Sequence, residues 1–187
     1  MFSNRAACQI VETAANAIRT DPDGFEAVLD AIPAAIYVTD REGTLTYFNP
    51  ACVGLAGRTP EVGADKWCVT WKLYTTDGEF LPHDQCPMAD ALTKATPVRD
   101  VEAIAERPDG SRLHFMPYPT PLFDDRGNLS GAVNLLVDLS TQRTPEYLHE
   151  QATRCRRLAR TIGDLDTVET LNLTAAKYEE LARKLMN

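Results

Sequence analysis

The stretch from Arg107 to Thr141, RPDGSRLHFMPYPTPLFDDRGNLSGAVNLLVDLST, decides the fold of this chain. It reads as two β-strands, Leu113 to Pro121 and Leu129 to Leu139, joined by a polar turn around Arg126-Gly127-Asn128. Gly, Asn and Asp between apolar runs are hairpin signals, because they accept the backbone conformations that tight turns require. Upstream, Val98 to Glu106 alternates, with Val101, Ala103 and Ala105 on one side and Glu102, Ile104 and Glu106 on the other. Alternation of this kind predicts a half-buried strand, and Pro108-Asp109-Gly110 turns the chain from it into the next one.

Toward the N-terminus the pattern changes twice. Ala7, Ile10, Val11, Ala14 and Ile18 share one face at helical spacing, which predicts an amphipathic helix over about residues 4–20. Asp21-Pro22-Asp23-Gly24 ends it. A short helix from Phe25 to Ala31, a strand from Ala34 to Thr39, a turn at Asp40 to Gly43 and a strand from Leu45 to Phe48 follow. Asn49-Pro50 opens a short helix, residues 57–77 read as irregular, and His83 to Lys94 reads as one helix with Met88, Ala91 and Leu92 on its apolar face. The order is two strands, several short helices, then three strands. It predicts an α+β domain over residues 24–143, with a five-stranded antiparallel sheet and helices on one face, behind an N-terminal helix at residues 1–23.

Residues 144–187 are a different object. Thr144-Pro145-Glu146 is a helix start, with a capping hydroxyl, a proline in the first turn and an acid near the positive end of the dipole. Leu148, Ala152, Cys155, Ala159 and Ile162 form one seam, and Val168, Leu171, Ala175, Tyr178, Ala182 and Leu185 form another, with Gly163-Asp164 between them. Each seam is short for a coiled coil, so a helical hairpin or a dimerising helix pair is expected.

Composition narrows the function classes. The net charge is −8, and an acidic surface argues against sequence-independent binding to nucleic acid. Arg154, Arg156, Arg157 and Arg160 form a local basic cluster that reads as a solvated helix face. No apolar run approaches the roughly 20 residues that cross a membrane, and the N-terminus lacks the pattern of a secretory signal, so cytoplasmic residence is expected. The five cysteines form no CxxC pair and the three histidines are not at zinc-ligand spacing. Free thiols and no metal site are expected.

The words W-x-L-Y-x-x-D-G, L-P-H-D-x-C-P-M-A-x-A-L, R-P-D-G, Y-P-T-P-L and G-A-V-N-L-L-V-D, spanning Trp71 to Arg143, resemble the PAS domain found ahead of HWE-type sensor histidine kinases in alpha-proteobacteria. The resemblance implies a PAS fold and a sensory role in which a small ligand or a partner shifts the packing of the sheet against its flanking helices. No kinase segment follows, so the expectation is a stand-alone PAS protein or a sensor whose output, such as a histidine kinase, is another polypeptide.

Candidate sites follow from the strand phases and from that resemblance. The sheet wall of a pocket would comprise Val101, Ala103, Ala105, Leu113, Phe115 and Leu136, with Asn134 as its one polar group and Trp71, Tyr74 and Trp67 on the helical side. Such a wall suits a small, mostly apolar ligand; the alternative is a filled core with Asn134 bonded to backbone, making the chain a structural interaction module. His83 and Cys86 are the candidate haem ligands by resemblance to haem-binding PAS sensors, but a helix-capping histidine and a small buried cysteine are the expected reading and haem is not expected. The flavin-binding positions of LOV-type relatives correspond here to Ala105, Phe115 and Leu136, and Trp67-Cys68 lacks their cysteine motif. Apolar side chains cannot satisfy the polar edge of an isoalloxazine ring, so flavin is not expected and no cofactor is assigned. Val133, Leu135 and Val137 occupy the opposite sheet face, which must be covered; with Ala7, Ile10, Ala14 and Ile18 they are expected to build a homodimer interface. No nucleophile–base–acid group is recognisable around His114 or His149, so no catalytic residue is assigned and no enzyme activity is expected.

Overall fold

The computed structural model describes residues 4–140, 144–160 and 165–186. The chain divides into two compact units, residues 1–138 and 139–187. In the first, helix α1 (Asn4–Thr20) and the short α2 (Phe25–Asp30) precede strands β1 (Ala35–Asp40) and β2 (Leu45–Phe48). Then come α3 (Ala51–Ala56), β3 (Lys72–Tyr74), β4 (Phe80–Leu81), a 3-10 turn (His83–Gln85), α4 (Pro87–Lys94), β5 (Ala103–Glu106), β6 (Arg112–Phe123) and β7 (Leu129–Asp138).

The sheet is antiparallel in the order β2-β1-β7-β6-β5-β3-β4. It has seven strands rather than the expected five. The two additions, β3 and β4, form a hairpin around Asp77-Gly78, where Gly78 N–H returns to the Thr75 carbonyl at 3.0 Å. These strands are three and two residues long, too short for periodicity to register. Two further expectations are corrected. The strand from Val98 shrinks to β5, since Asp100 adopts φ 60° and breaks the extended run. The helix from His83 is broken at Cys86, whose backbone is extended, and resumes with Pro87 in its first turn. A proline is tolerated there because the first-turn N–H has no intrahelical partner.

Strand β6 carries prolines at 117, 119 and 121 in mid-sheet, where a missing N–H normally breaks the ladder. The Pro119 carbonyl accepts from Val98 N at 3.3 Å on the side away from β7. Alternate residues point the same way, so all three proline nitrogens face the side where β5 has already ended. Arg99 seals that side, donating to the Pro119 carbonyl at 2.9 Å and the Thr120 hydroxyl at 2.8 Å.

Three layers result. Helix α4 packs on the inner face of β6 and β7 and α1 on their outer face. Strand β7, covered on both sides, is buried almost end to end, as its apolar run requires. Asn49 ties the entry of this unit together. Its side-chain oxygen accepts from Ile36 N at 3.0 Å, and its amide donates to the carbonyls of Leu29, Ile32 and Ala34 at 2.9–3.2 Å.

In the second unit, α5 (Pro145–Ala159) and α6 (Leu165–Met186) pack on each other. Ala152 and Ala159, and Ala175 and Ala182, are buried one heptad apart, and such small side chains let helix axes approach closely. Arg156 pairs with Glu179. This is the helical hairpin that the two seams allow; Ile162 and Gly163-Asp164 lie outside the described residues, as do the side chains of Leu171 and Leu185.

Candidate functional site

The centre of the inner face is built from β1 and β7. Tyr37 and Asn134 are register partners, and alternation turns both toward α4. The Asn134 oxygen accepts from Tyr118 N at 2.9 Å, and its amide donates to the Tyr37 hydroxyl at 3.0 Å. Tyr37 in turn donates to the Trp67 carbonyl at 2.8 Å. Trp67 adopts φ 68°, which is uncommon for a bulky side chain. It is held there by that bond, by its own N–H to the Gly43 carbonyl at 2.7 Å, and by packing of its indole where a Cβ on Gly43 would stand.

Three thiols face this network. Cys52 points at the Ile36 carbonyl at 3.3 Å, Cys68 accepts from the Thr70 hydroxyl at 3.2 Å, and Cys86 points at the Trp67 carbonyl at 4.0 Å. Burial pushes the Cys52 and Cys86 thiols up to about 12, which keeps them protonated and unreactive. Burial, with the Cys68 and Cys86 thiols beside it, holds Tyr37 well above its ordinary value. On the same face the Thr39 hydroxyl is buried without a hydrogen-bond partner.

Of the expected pocket wall, Ala103, Ala105, Leu113, Phe115 and Leu136 join one packed cluster with Met88, Ala89 and Leu92 of α4, and Asn134 lies among them. Three positions are corrected. Val101 precedes the shortened β5 and is 39% exposed; Trp71 precedes β3 and is 44% exposed beneath Lys72 Nζ at 4.0 Å. Tyr74 pairs with the outward Ile104, packs edge-on against Phe80 and stacks under the Arg112 guanidinium at 4.1 Å. None of the three joins the packed cluster, but Val101 lines a cleft beside Ala89 and Thr93 of α4. Arg112 and Lys72 both pair with Glu106, tying β3, β5 and β6 on the outer side and holding that carboxyl below its usual range, Arg112 foremost.

His83 and Cys86 do not converge. Cys86 belongs to the core cluster, whereas His83 is half-buried outside it, facing Arg58, Asp65 and Asp84. Its Nε2 has no hydrogen-bond partner, and burial followed by the Arg58 charge lowers its pKa. No group of His, Cys, Asp and Glu among the described residues has the arrangement of a metal site. A flavin does not fit the inner face either, since Asn134 and Tyr37 are engaged with each other and with backbone, and Ala105, Phe115 and Leu136 offer no polar atom. Among the described residues, clefts open elsewhere: about 590 Å³ between α1 and the β6–β7 hairpin, 570 Å³ between α4, the β3–β4 hairpin and Val98–Glu102, and 270 Å³ between α1 and α2.

The outer-face candidates are covered within one chain. Ala7, Ala14, Val133 and Leu135 are at most 1% exposed and Val137 is buried, while Ile10 and Ile18 stay half-buried. Sequence reading places Val11 on the helix's apolar face but leaves it out of the interface set, and it misses the Asn49 network and the Tyr37–Trp67 bond altogether. An Asn before a proline reads as a helix start, and nothing local announces that its side chain bonds across to β1.

The sequence matches a family described as the PAS fold over residues 29–144. The chain belongs to that family, whose members are in general sensory and signalling modules. Among solved structures it is similar to the PAS domain of the fruit-fly ELK potassium channel, at 12% identity and a TM-score of 0.51, over 64% of this chain and 98% of that one. A LOV protein of Rhodobacter sphaeroides aligns over 94% and 97% of the two chains at 13% identity and a TM-score of 0.44. The LOV domain of an Erythrobacter litoralis blue-light activated histidine kinase aligns over 58% and 98% at 18% identity and a TM-score of 0.43. No curated protein matches.

Proposed function

We propose that this chain is a cytoplasmic PAS signalling protein that works by association, passing its signal through its flanking helices to a second polypeptide. The observation that carries the reading is the seal of α1 over β6 and β7, made by Ala7, Val11 and Ala14 at 0–1% exposure. Such a contact is made largely by apolar area, which lets a helix shift its hold by degrees. A second copy meets α1 on the strip that the sheet leaves open, where Ile10 and Ile32 flank Val28, 44% exposed. The resemblance of residues 71–143 to the PAS domain of HWE-type kinases supports a histidine kinase as the downstream partner. Native mass spectrometry with an ultraviolet–visible scan tests this. The expected result is a colourless dimer of bare chain mass that Val28→Asp converts to monomer. A monomeric wild type, a bound small molecule or a visible band would overturn it.

A second reading, an internal small ligand, is favoured by one observation: Thr39 leaves a buried hydroxyl unpartnered on the same face as Asn134. A bound mass in the same spectrum, lost in Thr39→Val, would decide for it.

A further inference from the structure

The 590 Å³ cleft between α1 and the β6–β7 hairpin has the volume of a small-molecule site, roughly 300–1,000 Å³. Its floor is apolar, from Ile18 of α1 and Pro121 of β6. Its wall is Phe123, the last residue of β6, which is 45% exposed and lines the cleft. The rim is charged and unequal. Glu12 and Asp125 stand on opposite sides with Asp124 between strand and turn, against one guanidinium, Arg19, which donates to Asn16 at 2.6 Å. Asp124 itself accepts from the backbone of Arg126 and Asn128 and belongs to the turn.

We infer that this cleft is a binding site for a small organic cation with a flat apolar body, an aromatic amine in chemical class. The ring lies on Phe123, Pro121 and Ile18, and the ammonium group meets Glu12 and Asp125. The net charge of −8 favours the approach of such a cation. The site is outside the inner core and stands independently of the association reading: dimer dissociation by Val28→Asp neither supports nor removes it.

The test is a titration of the full chain with 2-phenylethylammonium, followed by amide NMR, with 3-phenylpropionate as the anionic counterpart. The expected result is saturable shifts centred on Ile18, Leu122 and Phe123. Affinity should fall about fivefold in Glu12→Gln/Asp125→Asn and about tenfold in Phe123→Ala. These three side chains are exposed, so the variants keep the wild-type melting temperature. Absence of saturation, shifts centred on Phe115 and Leu136, unchanged affinity in the variants, or equal binding of 3-phenylpropionate would each overturn the assignment.

Discussion

On its inner face the sheet presents Tyr37 and Asn134, tied to each other and to the backbone of Tyr118 and Trp67. On its outer face the same strands present Val133, Leu135 and Val137 to the small side chains of α1. A buried polar network is specific and unforgiving, because each broken bond leaves a desolvated partner behind. An apolar contact scales with area and yields by degrees. The two faces therefore assign different tasks: the inner one fixes which fold the unit adopts, and the outer one is where a helix can change its hold while the fold persists.

The largest effect should come where polar bonds concentrate most. Asn49→Ala orphans Ile36 N and removes the Asn49 bond from the Ile32 and Ala34 carbonyls, while the Leu29 carbonyl keeps Ile32 N, and we expect a loss of about 3 kcal/mol, read as the midpoint of urea unfolding. Asn134→Leu keeps the volume but removes the side-chain bonds to Tyr118 N and to the buried Tyr37 hydroxyl, with an expected loss of about 2 kcal/mol. If Asn134→Leu were neutral, the inner face would be held by packing alone and the contrast would collapse.

Val11→Asp probes the other side. A carboxylate cannot stay beneath α1, so the helix should lift while the sheet remains. The expected cost is about 2 kcal/mol, or roughly thirtyfold faster amide exchange confined to α1. Equal acceleration in β1 and β7 would mean that the outer contact belongs to the same cooperative unit as the core.

How much of this was legible in the sequence follows from the range of the interactions. Alternation set the inward phase of Ala103, Ala105, Leu113, Phe115, Asn134 and Leu136, because period two is written into consecutive residues. The stripe of Ala7 and Ala14 was equally local. Val101 lies outside the strand because Asp100 at φ 60° starts β5 only at Ala103, and Trp71 had no strand phase to place it. The Tyr37–Trp67 bond spans thirty residues, and no local pattern encodes it. The Thr44–Lys66 bridge and the Trp67 N–H to Gly43 bond that bring the loop alongside β2 are likewise properties of the folded chain.

The smallest effect concerns His83, which belongs to neither face. Burial first and the Arg58 charge second lower its pKa from the ordinary 6.5, with Asp65 and Asp84 opposing. In the unfolded chain the same imidazole regains its ordinary affinity for protons. Between the two values the unfolded state binds more protons, so stability rises with pH there. The contribution is full above 6.5 and is lost as pH falls toward the folded value, because the buried ring must charge beside Arg58. Thermal midpoints should therefore decline on acidification below that point, ahead of the separate loss from Glu106 and Asp124, whose carboxyls are held low by Arg112 and Asn128 and protonate at lower pH. His83→Gln should flatten the first decline and leave the second. If both persist unchanged in the variant, the histidine is not the group that titrates, and the pH dependence belongs to the carboxylates alone.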